Sequence, residues 1–358
     1  MGFKLWEDLL LGRLMPSVSS TVTALVIVLL FMWLFRVRNP GTRYILLHLP
    51  LIKGLVVLIR GVPAPLPGFE AGLRFGFQLF DPFAVLTVPD MSGRAPGVGF
   101  QRIELVPEWD SAVLHAAFFM AVGAAIGVLA YRWVGLSLFY RRLLSRPSAT
   151  RAELPEVFGL LDRLVPAFGV AYPRIVLLEE TPLAPCTLGV RPATMILPLR
   201  LLRQLDQEQL EAIVAHELAH VSRWDGLLHW PSLLLRDLQF FNPLAHRLFG
   251  RLLVEREIDS DLRAGMKTGH PRAIARVLVD LALLAKGVDL RAAPGAMSFS
   301  EIVLGGRSVL EERVRALAVG PVCASRLRPL GIVLLFVYLV LVRLYVHFPV
   351  LGHVVMLE

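Results

Sequence analysis

The sequence predicts a mainly α membrane protein: four transmembrane helices, with a mixed α+β, mostly helical domain inserted between the third and the fourth. Three observations carry this. Hydrophobic residues make up 55% of the 358 and charged residues only 18%, where soluble domains average about 25% charged. Four apolar stretches approach or reach the about 20 residues that cross a bilayer as a helix. Arginine clusters alternate with an acidic segment, as cytoplasmic and exterior loops do.

The first span is placed at 14–35. Leu14 to Phe35 holds no charged residue in 22. It is too long for a signal-peptide core, and Arg36 and Arg38 follow it where a cleavage site would need small residues. The third span, 111–140, contains the uncharged run Ala112 to Tyr131, rich in the Gly and Ala that let helices pack closely in lipid. The fourth, 329–350, starts from Leu330 to Val342 and resumes after Arg343, which can snorkel to the interface. The second, 44–60, is the weakest, since Tyr44 to Ile59 carries Pro50 and Lys53. Charge parity requires it. Arg36, Arg38 and Arg43 follow the first span, Arg141, Arg142, Arg146 and Arg151 follow the third, and Arg326 and Arg328 precede the last. The positive-inside rule puts all three clusters in the cytoplasm, so the chain must cross between Arg43 and Arg60. The 61–110 loop, Gly/Pro-rich with three arginines against six acids, reads as exterior. Both termini are then exterior, including a short tail at 351–358. The expected location is the inner membrane of a bacterium.

The net charge of +8 is thereby mostly topology. A nucleic-acid partner is excluded, because no basic face with motif support accompanies the charge. Two cysteines, Cys186 and Cys323, exclude a disulfide framework and a four-cysteine metal site.

Residues 141–328 form one domain's worth of cytoplasmic chain. Glu153 to Phe168 has a helical pattern, and Arg174 to Leu178 reads as a strand. Thr194 to Leu197 reads as a second strand, at a sheet edge because Pro198 follows. Asp206 with Gln209 is a capping-box start. The helix it opens carries His216-Glu217-Leu-Ala-His220. Histidines four apart share a helix face and can hold one Zn²⁺ at about 2.0–2.1 Å. Glu217, rotated about 100° from His216, reaches water on the metal rather than the metal. Zinc lowers the pKa of that water and Glu217 takes the proton, which is the chemistry of metal-assisted peptide hydrolysis.

Such a site needs a third protein ligand. Asn242-Pro243 is a strong helix start, and the helix runs on through Glu255-Arg-Glu257-Ile-Asp-Ser-Asp261. Two acid pairs have i, i+4 spacing: Glu255 with Asp259, and Glu257 with Asp261. The two glutamates lie about 160° apart around the helix, and periodicity does not choose between them.

The run Val214-Ala-His-Glu-Leu-Ala-His-Val-Ser-Arg-Trp-Asp225, then Phe240-Phe-Asn-Pro-Leu244, then Glu255 to Asp261 resembles the integral-membrane zinc metallopeptidases of the BlaR/MecR antirepressor type, which are gluzincin-like. Pro185-Cys-Thr-Leu-Gly189 and Met195-Ile-Leu-Pro198 resemble the strands preceding their motif. The resemblance implies Glu257 as third ligand, Asp261 as its partner and Asp225 as a supporting acid. Ser260 stands where many members have Cys. It implies that Pro185, Cys186, Thr187, Leu188 and Gly189 line the strand that pairs with substrate backbone, Cys186 serving in packing. Sensors of this family carry an exterior penicillin-binding domain after the last span. Here only the residues after Val342 follow, so direct beta-lactam sensing is not expected. A signal would come through the 61–110 loop, the spans, a partner or a homodimer.

The functional expectation is a membrane-embedded zinc endopeptidase. It would cut a cytoplasmic or membrane-proximal protein, a transcriptional repressor or the enzyme itself. A CAAX-type or quality-control membrane metalloprotease is the second reading. A signalling scaffold with a structural zinc is the third, and it has no use for Glu217. His229 falls on the face opposite His220 and is set aside as a ligand, and His246 reads as structural. Residues 298–306 read as a connector.

Overall fold

The computed structural model describes residues 5–6, 9–61, 111–179, 185–189, 191–287, 297–298 and 301–320. The expected exterior loop and fourth span lie outside the described residues. Among those described, three helices are long and apolar enough to cross a membrane: Gly12–Leu34, Pro40–Arg60 and Ala112–Leu144.

The first, α1 (Met15–Leu34), follows a π-helical turn at Leu10–Leu14. A tight turn at Phe35–Asn39 leads into α2 (Pro40–Arg60). Asn39 caps α2 by accepting from Thr42 N, with Pro40 in the first turn, where its missing N–H costs nothing. Pro50 sits inside α2. Gly54 is required by the α1–α2 contact, since a Cβ there would collide with Thr21 Oγ1 and Gln239 Oε1. Ser17 Oγ donates to Gly54 O at 2.8 Å in the same seam. The third helix, α3 (Ser111–Leu144), has 34 residues, about 51 Å long. It therefore extends well beyond a hydrocarbon core of about 30 Å. Its last turns pack Leu136, Tyr140 and Leu143 against the sheet.

After α3 come α4 (Pro155–Phe168), β1 (Arg174–Leu178), β2 (Cys186–Leu188) and β3 (Thr194–Pro198). The short α5 (Leu199–Leu202) precedes α6 (Gln207–Ser222), α7 (Asp225–Leu238), α8 (Pro243–Thr268) and α9 (Pro271–Gly287). The described chain closes with β4 (Met297–Ser298) and α10 (Glu301–Val319). The sheet order is β1-β3-β2-β4. β3 is parallel to β1 and antiparallel to β2. The expectation of an edge position for Thr194–Leu197 is thus corrected: the strand is internal. Proline is tolerated because Pro198 is the last paired residue, opposite Leu178, where the ladder ends. β4 covers the other side of β2, with Cys186 opposite Ser298 and Thr187 opposite Met297.

α6 lies in the main core. Its Leu210, Ile213, Val214 and Leu218 pack with α4 residues Leu161 and Leu164 and with Ile258 and Leu262 of α8. A separate core joins α8 to the membrane helices: Ala245, Leu248 and Leu252 pack against Val28, Met32, Leu47 and Leu51. The same helix, α8, thus touches both the motif helix and the spans.

Candidate metal centre

The capping box expected at the start of α6 is present. Asp206 Oδ1 accepts from Gln209 N, and Gln209 Oε1 accepts from Asp206 N. Fixed this way, α6 carries His216, Glu217 and His220 fully buried. Asn242 caps α8, accepting from Leu244 N. That helix brings Glu257 to the same place.

One ligand atom each from His216, His220 and Glu257 lies within 4.8 Å of the others. His216 Nε2 is 3.1 Å from His220 Nε2 and 3.3 Å from Glu257 Oε2. His220 Nε2 is 3.7 Å from Glu257 Oε1. Tetrahedral ligands at about 2.0–2.1 Å from one ion sit about 3.3 Å apart, so the spacing fits zinc. The outer ring nitrogens strengthen the fit. His216 Nδ1 is 2.9 Å from Asp261 Oδ1 and His220 Nδ1 is 2.8 Å from Asp225 Oδ2. Each carboxylate accepts a hydrogen bond from Nδ1–H, which turns the Nε2 atoms toward one another. Two facing lone pairs at 3.1 Å repel unless a cation, a proton or a metal ion, sits between them. Ser260 Oγ lies 3.2 Å from His220 Nδ1 and donates to Arg256 O.

Of the two acid pairs left open by periodicity, Glu257 and Asp261 face the histidines. Glu255 instead meets Arg43 at 3.0 Å and Arg251 at 2.6 Å. Asp259 meets Arg223 and Arg263, each at 2.9 Å.

Glu217 Oε2 accepts from Thr187 Oγ1 of β2 at 2.7 Å. Its Oε1 is buried with no hydrogen-bond partner among the described residues, so the acid is anchored by one oxygen and presents the other. Cys186 is buried and unpaired, as a packing residue would be. Pro185 and Leu188 are buried too, and Gly189 is exposed. Gly189 meets the start of α7, where a side chain at Gly226 would collide with Gly189 O.

Three arginines balance the buried acids, and none was singled out from the sequence. Arg313 of α10 makes a bidentate pair with Asp261, at 2.7 and 2.8 Å, and reaches Glu257 Oε2 at 3.5 Å. Arg256 donates to Glu257 Oε1 at 3.2 Å, and its Nη1 lies 3.1 Å from His229 Nδ1. Arg223 holds Asp225 at 2.8 Å and also Asp259. Arg256 had a local signal, lying beside Glu257. Arg313, 52 residues beyond Asp261, had none. His229 is not among the converging groups, as expected, although it comes one residue away through Arg256. His246 is exposed and bonds the Phe240 carbonyl.

Burial raises the Glu217 carboxyl above its usual range, against the pull of the two histidines. Burial would raise Glu257 as well, but His220, His216, Arg313 and Arg256 hold it well below that range. Burial depresses His216, yet Asp261 and Glu257 outweigh it and lift the metal-free imidazole to about 9. That gain stabilises the metal-free fold below the ordinary value of 6.5 and is lost as pH rises through about 9. At pH 7 metal-free His216 is therefore doubly protonated, and metal uptake must expel the Nε2 proton. Zinc titration calorimetry at pH 7 in two buffers of different ionisation heat is expected to report release of about one proton. Identical heats in both buffers would refute it.

A family model described as BlaR1 peptidase M56 matches residues 12–310. The chain belongs to that family. The match takes in α1, the motif helix and the beginning of α10. Similar curated proteins include a protease HtpX homolog of Acidiphilium cryptum, 26% identical over 214 residues, half of this chain and 74% of the relative. Another, from Methylibium petroleiphilum, is 25% identical over 232 residues, 51% of this chain and 82% of the relative. A third, from Salinibacter ruber, is 28% identical over 127 residues, 32% and 46% of the two chains. With three apolar helices among the described residues, this member of the family is a membrane metalloprotease.

Proposed function

We propose that this protein is a zinc endopeptidase in which His216, His220 and Glu257 hold the ion and Glu217 is the general base. The observation that carries the reading is the convergence of two imidazoles and one carboxylate within 4.8 Å, beside an acid with one buried, unpartnered oxygen. Zinc, when bound, supplies a Lewis acid that acidifies water and polarises a peptide carbonyl. Glu217 Oε1 takes the proton of the attacking water and returns it to the leaving amine. Thr187 keeps the carboxylate turned for that task, and burial raises its proton affinity toward that of a working base. Asp261 and Asp225 hold the two imidazoles in one tautomer and orientation. A peptide substrate pairs with β2, from Pro185 to Gly189, only by taking the place of Met297–Ser298, because β3 holds the other side of that strand.

The substrate class is a protein with its scissile bond near the cytoplasmic membrane face, such as a repressor or the enzyme itself. The arginines at 36, 38 and 43 support that orientation. A purely structural zinc would leave Glu217 without a role, which favours the enzyme over the scaffold.

Zinc content of detergent-purified protein tests the reading. The wild type is expected to hold about one zinc, and Glu255→Ala to keep it, because Glu255 faces Arg43 and Arg251. Glu257→Ala is expected to lose it. Metal surviving Glu257→Ala but not Glu255→Ala would overturn the ligand set, and a zinc-free wild type would overturn the protease mechanism.

A further inference from the structure

The segment from α7 to the first turn of α8 reverses the pattern of a soluble helix. Its exposed residues from 224 to 243 are Trp224, Leu227, Leu228, Pro231, Leu234, Phe240 and Pro243, every one apolar. Its buried residues include Asp225, His229, Ser232, Asp237, Gln239 and Asn242. A helix beside water shows polar residues outward and buries its apolar stripe. Polar groups inside and apolar groups outside is the arrangement that lipid selects.

The contacts of the buried groups give the depth. Gln239 Nε2 donates to Leu51 O at 2.8 Å, and Asn242 Nδ2 donates to Thr21 Oγ1 at 3.2 Å. Leu51 lies 11 residues into α2 and Thr21 lies 13 residues before the end of α1. At 1.5 Å per residue, those levels are about 16 and 20 Å from the α1–α2 turn, against a hydrocarbon core of about 30 Å. Ser232 meets His48 at 2.7 Å part-way down. Asp237 is buried and neutralised by Arg236 and Arg132, with Trp133 donating to it at 3.2 Å. From the tip, α8 returns beside α2 until Glu255 meets Arg43 near the turn. The apolar surface ends on that limb at the exposed His246 and Arg247. α7 has 14 residues, about 21 Å, too short to cross, so the limb enters and comes back.

We propose that residues 224–243 form a re-entrant hairpin that dips into the bilayer, with Leu227, Leu234 and Phe240 against acyl chains. The hairpin places part of the 141–328 domain in lipid. Exposed apolar residues also line α1, at Val26, Leu29, Leu30 and Trp33. Asp225 starts the hairpin and holds His220, so the metal centre lies at the membrane surface where the chain enters. A bond is then cut close to the bilayer, and the occupant of the apolar face is lipid.

Spin labels at Leu227→Cys, Leu234→Cys and Phe240→Cys test this in nanodiscs of the full chain. Cys323 is replaced by Ser, and Cys186 stays because it is fully buried. Zinc content reports that each variant is folded. The expected result is relaxation by oxygen exceeding that by a water-soluble nickel chelate at all three sites, the excess growing from 227 to 240. Nickel exceeding oxygen would mean that the face is in water, and the proposal falls. Immobile labels reached by neither reagent would mean that another segment or a second copy covers it, and the proposal falls then too. The outcome does not depend on Glu217 chemistry, so failure here leaves the protease reading intact.

Discussion

Glu217→Gln is expected to keep its zinc and lose about 10²- to 10⁴-fold in peptide hydrolysis, the range for removing a positioned general base. The metal is retained because no ligand atom of His216, His220 or Glu257 depends on Glu217 for its position. Glutamine has the same shape, and its amide can still meet Thr187 Oγ1, so packing in the buried site is preserved. What it lacks is an oxygen able to hold a proton at neutral pH. The measurement is turnover of an unfolded protein substrate beside zinc content of the same sample. Wild-type turnover with full zinc would remove Glu217 from the mechanism.

Arg313→Leu is the substitution with the largest expected effect on stability. Asp261 is fully buried and takes both of its Arg313 hydrogen bonds from one guanidinium. Removing that cation leaves a buried carboxylate beside a second acid, Glu257, at a cost of about 3–5 kcal/mol. Asp261 would then protonate or turn away, and His216 Nδ1 would lose its acceptor. The apparent melting temperature in detergent should fall sharply and zinc should be lost with it. Arg315→Leu, two residues on and exposed, is the control, expected within about 0.5 kcal/mol of wild type. Equal melting temperatures for the two variants would show that the Asp261 pair does not support the site.

The site was legible in the sequence to the extent that its residues are close in the chain. His216 and His220 sit one turn apart, and that spacing alone puts two ring nitrogens on one face of α6. Asp225 follows by five residues, returned under His220 by Trp224, which takes the left-handed conformation at φ 60° and ends α6. Both helix starts were readable because capping is local chemistry: Asp206 with Gln209, and Asn242 with Pro243. The choice between Glu255 and Glu257 was not local. Both are buried acids on the same helix, and only the packing of α8 against α6 on one side and α2 on the other separates a metal-facing carboxylate from one paired to Arg43.

The sequence by itself determined that the chain carries helices apolar enough to cross a membrane, that His216, Glu217 and His220 share one helix, and where the motif helices begin. These follow from hydropathy, from helical period and from capping, each decided within a few residues. Tertiary structure alone decided the rest. β3 became an internal strand because β2 returns to pair with it after β1 has taken its other side. Arg313 entered the centre because a buried Asp261 needs a cation and α10 supplies one from 52 residues away. The polar residues of α7 and of the turn after it point inward because Ser232 and Gln239 find partners on α2 and Asn242 finds one on α1. Long-range pairing of charge and of hydrogen bonds has no period along the chain, so only the folded arrangement reveals it.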